Sequence, residues 1–170
     1  MLNEKVVALM QKQINRELAS SYLYLDFANY FADRGLSGFA NWYNVQAKEE
    51  LDHGLLFIKY LQNNNVKVEL SDIQMFEHKN ASDLDVLKQA YAHEQYITAS
   101  INEVYAAAHE ANDYRTMQVL DWFVKEQGEE EKNAMDIVTE MELFGADLKN
   151  LYLMNQQLAT RVYTAPSLVL

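Results

Sequence analysis

Apolar residues recur every three or four positions along four long stretches of the chain, the spacing that places them on one face of an α-helix. Short breaks separate the stretches. Gly35 can end the first helix and Ser37 can cap the second, and Asn112-Asp113 form a turn before the fourth. The pattern therefore predicts four long helices, at about residues 3–33, 38–63, 82–112 and 114–145.

The lengths of the connections predict how these helices are arranged. The short breaks make the first and second helices, and the third and fourth, antiparallel hairpins, whereas about 18 residues separate the second helix from the third. An extended segment of this length, at ~3.3 Å per residue, can cross a helix of about 27 residues at ~1.5 Å per residue. We therefore predict an all-α fold: a four-helix bundle of two antiparallel hairpins with one long crossover, plus a short fifth C-terminal helix.

Length and composition favour a single domain. The chain has 170 residues, of which 49% are hydrophobic and 23% are charged, and this is enough for one sizeable core. We expect one domain over residues 1–170, with the bundle at about 3–145 and the fifth helix and tail at 147–170. The fifth helix should pack across one end of the bundle. Leu151, Leu158 and the tail form an apolar surface that predicts a partner.

Several classes of protein are disfavoured by composition. The chain has no Cys, one Pro and five Gly, which argues against disulfides, thiolate metal sites and a β-rich fold. No apolar run approaches the ~18 residues of a membrane span, and the charged N-terminus does not resemble a signal peptide, so we expect a cytoplasmic protein with no membrane partner. The formal charge of -11 argues against nucleic acid as a partner and favours cations.

Polar residues interrupt the apolar face of every predicted helix near its middle. Burying a charge without a partner strongly opposes folding. No Arg or Lys lies on any of the four inward faces, so we expect cations from solution to compensate the carboxylates. The interrupting residues are Glu17 on the first helix, Glu50 and His53 on the second, Glu94 on the third, and Gln127 and Glu130 on the fourth.

The spacing of these residues predicts that they converge. Glu17 and Glu50 are 33 residues apart, and so are Glu94 and Gln127, so the two hairpins present polar groups at matching heights. Within the second and fourth helices the polar pair lies at positions i and i+3, and it therefore projects from one helical face. We expect the six groups to surround one site.

Four carboxylates and one imidazole suit Fe²⁺ or Mn²⁺ better than Zn²⁺, which favours closed sites with nitrogen and sulfur ligands. Hard anionic ligands also favour Fe³⁺ over Fe²⁺, so bound Fe²⁺ would be a good reductant towards O₂ or H₂O₂. An isolated Glu-x-x-His pair is usually a pair of surface residues. Matched groups on four helices favour a metal site; a bundle with protonated or water-bridged carboxylates is the alternative.

With these residues, the sequence resembles the bacterial non-haem ferritins over nearly its whole length. The resemblance implies that Glu17, Glu50 and His53 bind a first iron. It also implies that Glu50, Glu94 and Glu130 bind a second iron, with Glu50 as the bridge. Because the second hairpin lacks the Glu-x-x-His pair, the second iron should be held more loosely.

The same resemblance assigns roles to residues around the two irons. Gln127 would support the site by hydrogen bonding, and Tyr24 would lie beside the iron and donate a hydrogen bond or an electron, although a simple core tyrosine is an equal alternative. Glu49, Glu126 and Glu129 resemble a third iron site that prokaryotic ferritins add beside the pair. The alternative for these three residues is a solvated acidic face.

Related families differ at identifiable positions. A bacterioferritin would repeat Glu-x-x-His on the fourth helix and carry a haem-ligating Met after the glutamate of the second, where this chain has Leu51. We therefore expect no haem. A rubrerythrin-like protein would need Cys for its extra iron domain. Three further histidines lie off the inward faces and are expected at the surface: His78, His93 and His109.

The resemblance implies an iron-storage protein with ferroxidase activity, that is, an oxidoreductase that oxidises Fe²⁺ with O₂ or H₂O₂ and contributes to iron homeostasis. Fe³⁺ would then be deposited as a mineral inside a homo-oligomeric shell of 24 subunits with octahedral symmetry. Two other functions remain open from the residues alone. One is a di-iron oxidase acting on an organic substrate, and the other is an interaction bundle without metal.

Overall fold

The structure is a computed structural model that describes residues 2–74 and 82–170. All regular structure in this part of the chain is α-helical, so the predicted all-α fold is confirmed, and the helices begin and end close to the predicted positions. The helices are α1 (Glu4–Asp33), α2 (Ser37–Asn63), α3 (Asp83–Glu110), α4 (Tyr114–Phe144) and α5 (Leu148–Leu158).

Three of the long helices end in the same tight turn. Gly35, Asn65 and Asn112 follow α1, α2 and α3 with φ angles of 75°, 57° and 54°. In each turn the N–H of this residue donates to the carbonyl three residues back, and the next N–H donates to the carbonyl five residues back, at 2.9 to 3.0 Å. This pattern satisfies the last helical carbonyls and reverses the chain. It accounts for the predicted antiparallel hairpins α1/α2 and α3/α4.

The start of α2 differs from the prediction. Ser37 does not cap this helix, because it is already the first helical residue and the capping position, Leu36, has no side chain that can accept a hydrogen bond. Instead Asn155 of α5 supplies the cap: its Oδ1 accepts from the N–H of Gly38 at 2.7 Å and of Phe39 at 3.3 Å. A Cβ on Gly38 would lie 1.7 Å from the Asn155 carbonyl oxygen, so glycine permits this close contact.

The described residues of the connection between α2 and α3 lie where the predicted crossover requires them. Near the start of α1, the side chain of Gln11 donates to the carbonyl of Lys67 at 2.9 Å. At the opposite end of α1, Arg34 donates to the carboxylate of Asp83, the first residue of α3, at 2.9 Å. The two described ends of the connection therefore lie at opposite ends of the bundle.

The core consists of two apolar clusters separated by polar side chains. Phe31 and Phe39 stack in one cluster with their ring centroids 5.0 Å apart, and Phe57 and Phe123 stack in the other at 4.2 Å. Between the clusters lies a set of side chains that we call the polar layer, each 7% exposed or less. It consists of Glu17, Glu50, His53, Glu94, Gln127 and Glu130.

Some side chains lie elsewhere than the sequence pattern predicted. His93 is buried rather than exposed, because the inward face of α3 is rotated towards it, and its Nε2 lies 2.7 Å from Ser20 Oγ. Phe144, the last residue of α4, lies on the apolar repeat of this helix but is half exposed. His109 is exposed as predicted, and His78 lies outside the described residues.

The fifth helix packs against α2 and α4 at one end of the bundle. Leu151 and Leu158 were predicted to form a partner surface, but both pack against the bundle of their own chain. The exposed apolar residues of α5 are Leu148, Tyr152 and Leu153. An apolar surface is therefore present on α5, but it is formed by other residues than the predicted ones.

The tail, residues 159–170, follows α5 and runs back along the bundle. Near its start the carbonyl of Arg161 accepts from the side chain of Asn41, at 3.0 Å. Further along, Trp122 donates to Ser167 Oγ at 3.0 Å, and Leu168 packs against the cluster distant from α5. The tail thus lies over α2 and α4. None of the described helices combines the length and the apolar character needed to cross a membrane.

Replacing Asn155 with alanine should loosen the joint between α5 and α2. The change removes the acceptor for two buried N–H groups, so we expect a loss of about 1 to 2 kcal/mol in the free energy of unfolding. Thermal and denaturant unfolding followed by circular dichroism would measure it. Gln156→Ala, an exposed position on the same helix, is the control. An unchanged stability in Asn155→Ala would contradict the capping role.

Candidate metal centre

The polar layer takes its residues from the middle of all four long helices. Glu17 lies on α1, Glu50 and His53 on α2, and Glu94 on α3. Each occupies an inward-facing position where a polar residue interrupts the repeat of apolar residues. Because these side chains are almost fully buried between the two apolar clusters, they face one another rather than solvent.

A first set of possible ligands lies between α1 and α2. Glu17, Glu50 and His53 each offer one ligand atom, and these atoms lie within 4.8 Å of one another. Glu17 Oε2, Glu50 Oε2 and His53 Nδ1 are buried and have no hydrogen-bond partner in the described part of the chain. Buried polar atoms are nearly always paired. Three unpaired atoms around one point are the arrangement expected for ligands of a cation.

A second set of possible ligands shares Glu50 with the first. Glu50, Glu94 and Glu130 also place ligand atoms within 4.8 Å of one another. The two carboxylate oxygens of Glu50 can therefore serve neighbouring positions. The second set has three carboxylates and no imidazole, in agreement with the asymmetry of the two hairpins.

Amide side chains orient the carboxylates of the second set. Gln46 Nε2 donates to Glu50 Oε1 at 3.1 Å and to Glu130 Oε2 at 2.8 Å. Gln127 Nε2 donates to Glu94 Oε2 at 3.2 Å. Gln127 therefore lies within the polar layer and orients a carboxylate by donating a hydrogen bond to it. Gln46 lies four residues before Glu50 and therefore on the same helical face, but the sequence alone assigned it no role.

Glu17 is oriented by a residue that the sequence reasoning missed. Gln13 Nε2 donates to Glu17 Oε1 at 2.8 Å, and Gln13 Oε1 accepts from Ser100 Oγ at 2.8 Å. Gln13 is fully buried. A polar residue four positions before a buried glutamate lies on the same helical face, so its spacing from Glu17 was a usable signal.

Tyr24 lies beside the second set of carboxylates. Its hydroxyl donates to Glu94 Oε1, and its ring stacks on Tyr43 with centroids 5.6 Å apart. Burial and the negative charge of Glu94 hold the Tyr24 pKa well above its usual value, so the phenol stays protonated and remains a donor. A small cavity of about 20 Å³ borders Tyr24, Glu94 and Glu130, room for about one water molecule.

Burial makes the four carboxylates difficult to ionise. It raises the pKa values of Glu17 and Glu94, and it raises those of Glu50 and Glu130 well above the usual range. Mutual repulsion adds to the effect of burial at Glu50 and Glu130. Divalent cations would favour the charged forms and displace the protons.

The residues predicted for a third site are only partly brought together. Glu126 offers a ligand atom within 4.8 Å of those of His53 and Glu130. Glu49 instead forms an ion pair with Arg161, and Glu129 is exposed, with one carboxylate oxygen 3.7 Å from Lys125 Nζ. The prediction that no basic side chain lies on the inward faces did not consider Arg161, which reaches Glu49 from the tail.

Comparison with known proteins agrees with this geometry. The family model of the ferritin-like domain matches residues 7–144. The chain is 37% identical to the bacterial non-heme ferritin of Campylobacter jejuni over 156 residues, which are 92% of this chain and 93% of that protein. It is 35% identical to a probable bacterial non-heme ferritin-like protein of Haemophilus influenzae over 158 residues, 93% and 96% of the two chains.

Solved structures show the same fold. An engineered closed form of the Archaeoglobus fulgidus ferritin is similar to this chain with a TM-score of 0.93 and 36% identity, covering 96% of this chain and 100% of the other. The open-pore ferritin of the same organism gives a TM-score of 0.91 at 36% identity, with 95% and 98% covered. The sequence match, the bundle and the shared arrangement of its helices lead to one conclusion: the chain belongs to the ferritin family.

Proposed function

We propose that the chain is an iron-storage subunit that oxidises Fe²⁺ at the polar layer. One observation carries the proposal: Glu17 Oε2, Glu50 Oε2 and His53 Nδ1 are buried together without hydrogen-bond partners in the described residues. A cation would satisfy all three atoms. The names of the related non-heme ferritins identify iron as the cation to test.

In this proposal two Fe²⁺ ions bind as substrates. Glu17, Glu50 and His53 hold the first ion, and Glu50, Glu94 and Glu130 hold the second. Two divalent charges balance four carboxylates, and they offset both the burial and the repulsion by Glu94 and Glu17 that raise the pKa of Glu50. The second ion, without an imidazole ligand, is held more loosely and leaves first.

The proposed reaction transfers one electron from each Fe²⁺. Two Fe²⁺ become two Fe³⁺, and O₂ takes up two electrons and two protons to give H₂O₂; with H₂O₂ as the oxidant, the products are two waters. The small cavity beside Glu94 and Glu130 suits an oxidant of this size and is too small for an organic substrate. Tyr24, protonated and hydrogen-bonded to Glu94, is one of two tyrosines that line this cavity, and Tyr43 is the other.

The Fe³⁺ product would pass to a mineral core inside a shell of identical subunits. Exposed apolar side chains on several elements are suited to contacts between copies, among them Tyr22, Tyr114, Leu148 and Tyr152. The shell of 24 subunits and the cytoplasmic location stay predictions from the family resemblance. Glu49, Glu126 and Glu129 are proposed as an accessory cation position beside the pair, which opens only when the Glu49 carboxylate is free of Arg161.

Iron loading tests the proposed function. Cation-free protein is mixed anaerobically with excess Fe²⁺, air is admitted, and ferric absorbance and particle size are followed. We expect oxidation and retention of iron far beyond two ions per subunit. In Glu50→Ala, which removes the shared ligand, the initial rate should fall by about tenfold or more.

Glu142→Ala is the matched control, because Glu142 is exposed on α4 and pairs with Lys88 at the surface. It should oxidise iron at the unmodified rate. Retention of only two irons per subunit with no mineral would exclude storage and favour an oxidase. No iron binding would exclude the metal site, and an unchanged rate in Glu50→Ala would show that the ligands are misassigned.

Gln13→Leu should weaken cation binding without removing a ligand. The change leaves Glu17 free to rotate, because the amide that fixes its Oε1 is gone, and we expect affinity at the first position to fall by about tenfold. Anaerobic titration calorimetry with Fe²⁺ would measure this. Gln62→Leu, at an exposed position of α2, controls for added apolar surface. Equal affinity in Gln13→Leu would show that Glu17 needs no support.

The cation-free protein should become more stable as the pH falls, because its buried glutamates are more stable when protonated. In cation-free protein the folded-state pKa values of Glu50 and Glu130 lie well above those of the unfolded chain. The folded state therefore binds more protons, and the free energy of unfolding should rise as the pH falls from about 8 to about 6.

Denaturant unfolding at several pH values, with a chelator present, measures this slope. Saturating Mn²⁺ should flatten it, because the cation replaces the protons. The double variant Glu50→Gln/Glu130→Gln should also show a flatter slope without metal. A cation-free protein that loses stability between pH 8 and pH 6 would contradict the expectation.

A further inference from the structure

Arg161, in the tail, lies against the edge of the polar layer. Its Nη1 donates to Gln46 Oε1 at 2.8 Å and to the carbonyl of Trp42 at 3.3 Å. Its Nη2 forms an ion pair with Glu49, and its guanidinium carbon lies 4.0 Å from the centroid of the Trp42 ring. The side chain is 17% exposed. Arg161 is therefore fixed by two hydrogen bonds, an ion pair and an aromatic ring.

The tail around Arg161 is anchored on both sides. Asn41 donates to the carbonyl of Arg161 at 3.0 Å, and the hydroxyl of Tyr163 donates to the carboxylate of Asp52. Both partners lie on α2, as Glu49 does. The guanidinium is thus brought to Glu49 by a docked segment.

The position of Arg161 matters because only Gln46 separates it from two of the proposed ligands. Gln46, which accepts from Arg161, donates to Glu50 and Glu130. Glu49 precedes Glu50 directly and its side chain is 18% exposed. A guanidinium is charged at all physiological pH values, so it competes with any cation for the Glu49 carboxylate.

A second observation points to a cation close to the same place. His53 is 1% exposed, and its Nδ1 faces the first position, 3.6 Å from Glu50 Oε2. The ring also belongs to a group with Glu126 and Glu130 whose ligand atoms lie within 4.8 Å of one another. Glu126 and His53 are also among the charges that act on the Glu49 carboxylate, so a cation bound by Glu126 would lie close to Glu49.

We propose that Arg161 is a built-in counterion that takes the place of a third cation at Glu49 while the tail is docked. The inference rests on the proposed function and concerns how the same site is regulated. With the tail in place a subunit holds two Fe²⁺. When the guanidinium is absent, Glu49 is left as a partly buried carboxylate without a positive partner, and it recruits a third cation.

The test is the number of Fe²⁺ ions bound per subunit in mineral-free protein under anaerobic conditions, measured by titration calorimetry. We expect two in the unmodified protein and three in Arg161→Gln. The double variant Arg161→Gln/Glu49→Gln should return to two. Arg161→Lys, which keeps the positive charge, should also remain at two.

Arg34→Gln is the matched control for loss of one positive charge, because Arg34 pairs with Asp83 at the far end of α1. It should bind two. Circular dichroism and particle size identify any variant that does not fold or assemble. Glu49→Gln alone provides an independent arm: it should still bind two Fe²⁺, because Glu49 holds no cation while Arg161 is present.

The outcomes separate this inference from the proposed function. If the unmodified protein binds no Fe²⁺, the proposed function is wrong and the inference falls with it. If it binds two and Arg161→Gln also binds two, only the inference is wrong. The inference is equally overturned if the unmodified protein binds three, or if Glu49→Gln alone loses a cation.

Discussion

The buried carboxylates between two apolar clusters are the constraint on which the rest of this structure depends. Burial raises the pKa values of Glu50 and Glu130 well above the usual range, and the neighbouring charge of Glu94 raises both further. Removing such groups would stabilise the cation-free bundle. In the proposed function, cations would replace the protons on these carboxylates, so the same feature that opposes folding without metal would create affinity for metal.

The apolar clusters make this arrangement possible. Each cluster, one with Phe31 and Phe39 and the other with Phe57 and Phe123, packs residues of all four long helices together, so the layer between them need not contribute to folding. The Asn155 cap closes the end that carries α5. Because the scaffold is stabilised elsewhere, ligand atoms such as His53 Nδ1 can remain unpaired and ready to bind.

The features of the fold that depend on helical periodicity could be predicted from the sequence. The bounds of the helices, the crossover, and the inward positions of Glu17 and Glu94 follow from spacing alone, because each helix repeats every 3.6 residues. His93 was misplaced because a helix can rotate slightly about its axis when it packs. The Asn155 cap and the contact of Arg161 with Glu49 join residues more than 100 positions apart, and no local pattern encodes such pairs.

The position of Arg161 also explains how a positive charge can lie near a cation site without blocking it. A guanidinium paired directly with Glu50 would compete with both proposed irons, and one paired with Glu130 would compete with the second. In this chain the neutral amide of Gln46 stands between them: it accepts from Arg161 and donates to both carboxylates. The guanidinium pairs instead with Glu49, which precedes Glu50 in the sequence and lies outside the polar layer. The tail can therefore set how many cations bind while leaving the ligands of the first two untouched.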